Sequence, residues 1–353
     1  MKKLLFMTVL ASFVLAPASG WAASCLVTTG YTCTTIDDQV DNNPPNTMTP
    51  ETFTQLLGIN DVNNVVGYYG SGTTPDHPNK GIVIPNAFAT PPTFVKENFP
   101  GSAQTQVVGI NNLSSPTTVG FWINGIGTNF GFDDVGGTFK SVMNPATTGT
   151  VNQLLGVNNS NIAVGFYTDS AANNHGYLFN IGTTTFTPIN LPASFNATSV
   201  MATGINNAGI VVGLFVDTAG NTHGFIDNAG TFTKFNAPLG PTNTSFFGIN
   251  NHNDVAGAYV DSAGVSHGLW FDPATLTFLT VDDPNSSAMP QFMVSGTVIN
   301  GINDSNDLVG FYSDGTVGVH GFLASTPEPT TLGLMGLAAL AAGCLYRRKR
   351  PHA

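Results

Sequence analysis

The tripeptide Gly-Ile/Val-Asn occurs six times, beginning at Gly58, Gly109, Gly156, Gly204, Gly248 and Gly301, at spacings of 51, 47, 48, 44 and 53 residues. A chain that copies itself at such a period is an array of like units, none of which can bury its apolar face alone. Each copy runs into a β-branched stretch holding a second glycine: Gly67, Gly120, Gly165, Gly213, Gly257 and Gly310. In four units a turn with Asp follows (Asp169, Asp217, Asp261, Asp314), and then His-Gly before an aromatic residue or Leu. These histidines, His175, His223, His267 and His320, each fall 19 residues after the first glycine of the unit. The second unit has Phe130-Gly131-Phe132 there, and the first a looser His77 and Gly81. A Gly/Thr turn leads to a third run, such as Thr231–Phe235, and a Pro-containing loop to a fourth, such as 245–247, which enters the next Gly-Ile-Asn.

Each unit therefore offers four short strands with turn chemistry between them, and no window shows a sustained 3.6-residue apolar period. Four antiparallel strands in about 45 residues is the arithmetic of a propeller blade. Apolar runs such as Ile210-Val211-Val212 fit strands covered on both faces by neighbouring blades. The ends complement each other. The last unit supplies two strands, around 308–312 and 320–323, while 30–37 and 52–57 resemble the missing third and fourth runs. The fold expected is all-β: a six-bladed β-propeller of four-stranded antiparallel blades, closed by N- and C-terminal strands, plus a C-terminal hydrophobic helix. An open β-solenoid is the rival, and it needs no such complementarity.

The two ends read as addresses. Residues 1–22 have a basic start (Lys2, Lys3), an apolar run and a small-residue exit, the pattern of a secretory signal peptide cut between Ala22 and Ala23. A propeller over 23–325 follows, then a tail over 326–353. The tail reads Pro327-Glu328-Pro329, an apolar span from Leu332 to Tyr346, and Arg347-Arg348-Lys349-Arg350. The span is short for a bilayer core of about 30 Å, and the basic cluster should stay cytoplasmic. This order closely resembles the PEP-CTERM sorting signal of Gram-negative bacteria. The resemblance implies recognition by an exosortase-type processing enzyme, transient anchoring in the inner membrane, and export to the cell surface or the extracellular matrix. An uncleaved one-pass anchor is the alternative. The repeats resemble the HAF family of extracellular repeats, with His-Gly-Phe/Tyr/Leu where that family has His-Ala-Phe. That likeness implies an exported repeat protein and brings no catalytic residues.

Charge narrows the partners. Residues 24–326 hold four Lys (Lys80, Lys96, Lys140, Lys234), no Arg and twenty acids, a net charge of −16. Nucleic-acid binding is excluded, because phosphate contacts need clustered Lys and Arg. An extracellular polysaccharide or another surface protein remains open as a partner. With 42% hydrophobic residues the chain can bury a core, which excludes wholesale disorder.

The chemistry-bearing residues are few. Cys25 and Cys33 flank Thr28-Thr29-Gly30; a three-residue hairpin loop there sets Cys25 opposite Cys33, where a disulfide can form in an oxidising compartment. The repeated histidines are expected to hydrogen-bond to the Asp turn before them, with a metal or ligand role as the alternative. The Asn/Asp turns at 250–254 and 303–307 raise calcium but lack the spacing of an EF-hand loop, and such residues are ordinary in turns. No cofactor is expected. Asp133-Asp134 and Asp282-Asp283 are neighbours on strands and point to opposite faces, so paired carboxylates for glycoside cleavage are not discernible. An enzyme should break the symmetry, with acids in one blade that the others lack, and no such outlier stands out. The function expected is a non-catalytic binding or structural module. A carbohydrate-active lyase or glycosidase, or a lectin-like sugar binder, is the alternative.

Overall fold

The computed structural model describes residues 23–24, 30–38, 53–70, 78–287, 296–315 and 318–326. The signal peptide up to Ala22, Cys25, His77, the sorting residues Pro327 to Pro329 and Arg347 to Arg350, and the expected C-terminal helix lie outside them. Among the described residues, no helix is long and apolar enough to cross a membrane.

Six antiparallel sheets stand in a ring. Their inner strands are Thr54–Ile59, Gln104–Ile110, Asn152–Val157, Ala197–Ile205, Thr244–Ile249 and Thr297–Ile302. Blade 3 shows the pattern: Asn152–Val157, Ile162–Thr168, Asn174–Asn180 and Thr185–Pro188, from the axis outward. The chain is thus an all-β six-bladed propeller. The residue after each His-Gly, or its equivalent, is the packing anchor. Ile82, Phe132, Tyr177, Phe225, Leu269 and Phe322 are all at most 1% exposed. Burying one such side chain contributes about 2–3 kcal/mol.

Blade 6 closes the ring, but not with the strands that the sequence suggests. It takes Thr297–Ile302, Leu308–Ser313 and Val319–Ser325 from the C-terminal side, then Thr32–Thr35 and the short Ala23–Ser24 from the N-terminal side. Thr52–Leu57 does not complete this blade; Thr54–Ile59 is instead the inner strand of blade 1, and Phe53 bridges to Val319 across the seam. The physical reason is that each fourth run continues through Gly-Ile-Asn as one strand and pairs forward, so the blade boundary precedes it. The N-terminal hairpin also differs. Ala23 pairs with Cys33 and Ser24 with Thr32, so the connecting loop is longer than three residues and the register moves by two. Cys33 is buried and disulfide-bonded.

Two glycine sets explain the repeat. Every inner strand carries a bulge just before its Gly-Ile/Val, between Leu56 and Gly58, for example, or Leu154 and Gly156. Opposite the bulge lies the second glycine. A Cβ on Gly165 would overlap the Gln153 carbonyl oxygen, and one on Gly213 the Met201 carbonyl oxygen. The first glycines form the hub. A Cβ on Gly109 would stand 2.9 Å from the Leu155 oxygen and 3.0 Å from the Gly156 Cα; one on Gly301 would stand 3.0 Å from the Gly58 Cα, so the contact closes round the axis.

Below this hub the asparagines form a ring of hydrogen bonds. Asn60 Nδ2 donates to the Asn111 carbonyl (3.0 Å), Asn111 to Asn158 (3.2 Å), and Asn158 to Asn206 (3.1 Å). Asn206 donates to Asn250 (3.1 Å), Asn250 to Asn303 (3.2 Å), and Asn303 back to Asn60 (3.4 Å). The Oδ1 of each accepts two amides of its own turn, as Asn158 does from Ser160 and Ile162. A second ring lies beside it. The amides of Asp61, Asn112, Asn159, Asn207, Asn251 and Asp304 each donate to the side-chain oxygen of the same position in the next blade, at 2.7–2.9 Å.

Substitution should separate required from permitted glycines. Gly165→Ala forces a backbone shift and is expected to destabilise by about 2 kcal/mol or more. Gly125→Ala, with open space around it, should stay within about 0.5 kcal/mol. Chemical denaturation of the two variants measures both, and equal midpoints would contradict the role given to the bulge.

Candidate functional site

The bulges also build the site. A bulge re-aims the residue it inserts, and here the inserted residues are Leu57, Val108, Leu155, Thr203, Phe247 and Asn300, which turn to the axis. Above the glycine hub they open into a bowl of about 300 Å³. Its wall adds Gln106, Gln153 and Met201 from the inner strands, and Phe121, Phe166 and Leu214 from the second strands. No ionisable side chain lines it. At the hub the axis narrows to about 70 Å³, and at the asparagine ring to about 60 Å³. The sequence analysis missed this bowl. Its signal was the variation just ahead of an unvarying glycine: Gln55, Gln106, Gln153, Met201, Ser245 and Val298 occupy one position of the repeat.

The repeated histidines lie outside the bowl, each on the third strand of its blade. His175 Nε2 meets Asp169 Oδ2 at 2.9 Å, His223 meets Asp217 at 3.0 Å, His267 meets Asp261 at 3.4 Å, and His320 meets Asp314 at 3.3 Å. In three of them Nδ1 is also engaged, by Asn236, Asp282 and Asp37 respectively. Each ring stacks on an aromatic or lies tilted against one: Tyr167, Phe215, Tyr259 and Tyr312, with centroids 5.0–5.1 Å apart. In blade 2 Phe130 takes this place and stacks on Trp122 at 4.6 Å. The Asp carboxylates hold their turns by accepting backbone amides, as Asp217 does from Ala219 and Asn221. The hydrogen bond from His175 or His223 first, and then the turn amides, lower the pKa of Asp169 and of Asp217. Burial pulls the imidazoles of His267 and His320 down, but the paired aspartates outweigh it and the net shift is upward.

The turns at 250–254 and 303–307 are the asparagine turns of blades 5 and 6, and Oδ1 of Asn250 and of Asn303 is spent on backbone amides. Among the described residues, no group of three or more His, Cys, Asp and Glu is placed to hold a metal ion.

One acidic outlier does exist, contrary to the sequence reading. Glu97 enters the seam between blades 1 and 2, where the Thr118 hydroxyl donates to its Oε1 and Asp134 lies cross-strand from Thr118. Burial first, and the charge of Asp134 after it, raise the Glu97 carboxyl to about 7 against the lowering bond from Thr118. Asp133 points to the other face, opposite Lys140, and burial raises it to about 6. Adjacent acids were correctly assigned to opposite faces; the partner from another blade was not visible, because Glu97 and Asp134 meet only through the fold. Neither lines the bowl.

These groups set the pH response. Glu97 and Asp133 have folded-state values above their unfolded ones, so their stabilisation is complete below about pH 4 and is lost as pH rises through about 6 to 7. His267 and His320 are also raised, so theirs is complete below about 6.5 and is lost as pH rises further. The thermal midpoint should therefore fall between about pH 5 and about pH 8.5. Glu97→Gln keeps an acceptor for Thr118 and should raise stability at about pH 8 by roughly 1–3 kcal/mol while changing little at about pH 5. A variant as pH-sensitive as the wild type would refute the assignment.

Comparison with known proteins adds an address and a shape. Residues 325–350 match the PEP-CTERM protein-sorting motif, which implies export, a C-terminal membrane anchor before processing, and processing by exosortase. No curated protein matches the chain. Among solved structures, SapL1 lectin in complex with alpha methyl fucoside is 9% identical at a TM-score of 0.49, over 78% of this chain and 97% of that one. Aleuria aurantia lectin, also in complex with a fucoside, is 9% identical at 0.47, over 76% and 91%. Trypanosoma rangeli sialidase is 9% identical at 0.46, over 91% of this chain and 61% of that one. These are similarities of overall shape, and no residue role is carried over from them.

Proposed function

We propose that the chain is an exported β-propeller of the cell surface or extracellular matrix, and that it acts as a non-catalytic binding module through its axial bowl. The observation that carries this reading is the bowl itself: a concave, mainly apolar cavity with a few polar groups and no acid, base or cation on its wall. General acid–base chemistry needs a titratable group within reach of the substrate, and the lining offers none. The acidic body supports partners other than anions. The leader up to Ala22, the hydrophobic tail helix, a Cys25–Cys33 bond and membership of the HAF-type repeats belong to the same proposal. All four fit a protein delivered to an oxidising exterior.

Two experiments bear on this. Binding of the purified protein to a glycan array, with calcium and with chelator, should show retention without turnover of any glycan; measured cleavage would overturn the non-catalytic reading. Replacing Arg347, Arg348, Lys349 and Arg350 with Ala should leave unprocessed protein in the membrane fraction, seen by immunoblot. Normal release would count against the sorting role of the basic cluster.

A further inference from the structure

The bowl is six-fold in frame but one-sided in content. Towards blades 5, 6 and 1, Phe53, Leu57, Phe247, Val298 and Phe311 pack together with Ala258 and Val319. The Gln55 amide is taken there, its Oε1 accepting from the Tyr68 hydroxyl at 2.7 Å. Towards blades 2 and 3 the wall is different. Gln106 and Gln153 occupy the equivalent position on neighbouring inner strands, and their side-chain amides make no hydrogen bond among the described residues. Beside them stand Phe121 and Phe166, equivalent residues of the second strands. Two unspent primary amides next to two phenyl rings therefore face one cavity that holds no charge.

We propose that this arc receives a terminal, uncharged N-acetylated sugar residue, an N-acetylhexosamine. The inference rests on the binding-module reading and names its ligand class. A secondary amide presents one donor and one acceptor beside a methyl group. Gln106 and Gln153 together offer the matching acceptor and donor, and the phenyl rings offer an apolar seat for the methyl. An anionic sugar finds no counter-charge here, since residues 24–326 contain no Arg and no Lys lines the bowl. A bare hexose leaves the apolar part of the wall unmatched. The volume of about 300 Å³, narrowing to about 70 Å³ at the hub, admits one ring rather than a threaded polymer, so the residue bound is a chain end.

The test uses the full chain, with N-acetylglucosamine, N-acetylgalactosamine, their parent hexoses, N-acetylneuraminic acid and N-acetylalanine methylamide as probes, read by calorimetry. The two neutral N-acetyl sugars should bind about tenfold or more tighter than the parent hexoses, and N-acetylneuraminic acid should not compete. Gln106→Leu with Gln153→Leu should weaken that binding by about tenfold or more, with the unfolding midpoint as the check that the variant is folded. Phe166→Leu, which keeps the bowl filled, should weaken N-acetyl sugars more than parent hexoses. Equal affinity for parent and N-acetyl sugars, no sugar binding by the folded chain, or unaltered binding by the double variant would overturn the proposal. Preference for the methylamide would assign the arc to peptide and overturn it as well. Retention of another glycan or a protein by the double variant would remove this ligand while leaving the binding-module reading intact; turnover of a glycan would remove that reading.

Discussion

Backbone contact round the axis is the constraint from which the architecture follows. Six inner strands can meet only if no side chain stands between them, which is why Gly58, Gly109, Gly156, Gly204, Gly248 and Gly301 approach one another so closely. That approach buries backbone and side-chain polar groups, and buried polar groups must be paired. The residue two positions on does this. Each asparagine spends its amide nitrogen on the next blade and its oxygen on its own turn. Because the donor of one unit needs the acceptor of the next, the pattern is satisfied only in a closed ring. An open solenoid would leave an unpaired amide at one end and an unpaired carbonyl at the other.

This division of labour explains what could be read from the residues. Recurrent positions serve the frame, so the glycines, the asparagines and the aromatic after His-Gly displayed the blade count and the antiparallel order. The phase of the blade was not legible. A strand and the Gly-Ile-Asn that ends it look like the close of one unit or the opening of the next, and only hydrogen bonding decides that Thr54–Ile59 faces forward. The bowl was not legible for the opposite reason. Its residues differ from blade to blade, as Gln153 and Ser245 do, and a search for repetition passes over them. The Glu97–Asp134 seam joins residues of different blades and has no local signature.

The same logic bears on the histidines. They recur with the period of the frame, their carboxylate partners sit in the turn just before them, and blade 2 performs the same packing with Phe130 on Trp122. What the position demands is a flat ring against the aromatic of the second strand. Where that ring is His it also ties down the Asp turn, and in blade 6 it reaches Asp37 beyond the N-terminal strand, at 2.8 Å. The Gly321 amide donates to the other oxygen of Asp37 at 3.1 Å. One carboxylate thereby latches Thr32–Thr35 to the last C-terminal strand, at the only blade built from both ends of the chain.

A frame so uniform makes departures from symmetry informative. The packed cluster of Phe53, Phe247 and Phe311 fills one side of the bowl and leaves the amides of Gln106 and Gln153 on the other without a partner. Packing alone would favour apolar residues at both positions, because an amide beside phenyl rings loses hydration that nothing in the protein returns. Val298 and Met201 show that the repeat tolerates apolar side chains there. Two glutamines in adjacent blades, facing one uncharged cavity, are therefore better explained by what enters the bowl than by what holds it together.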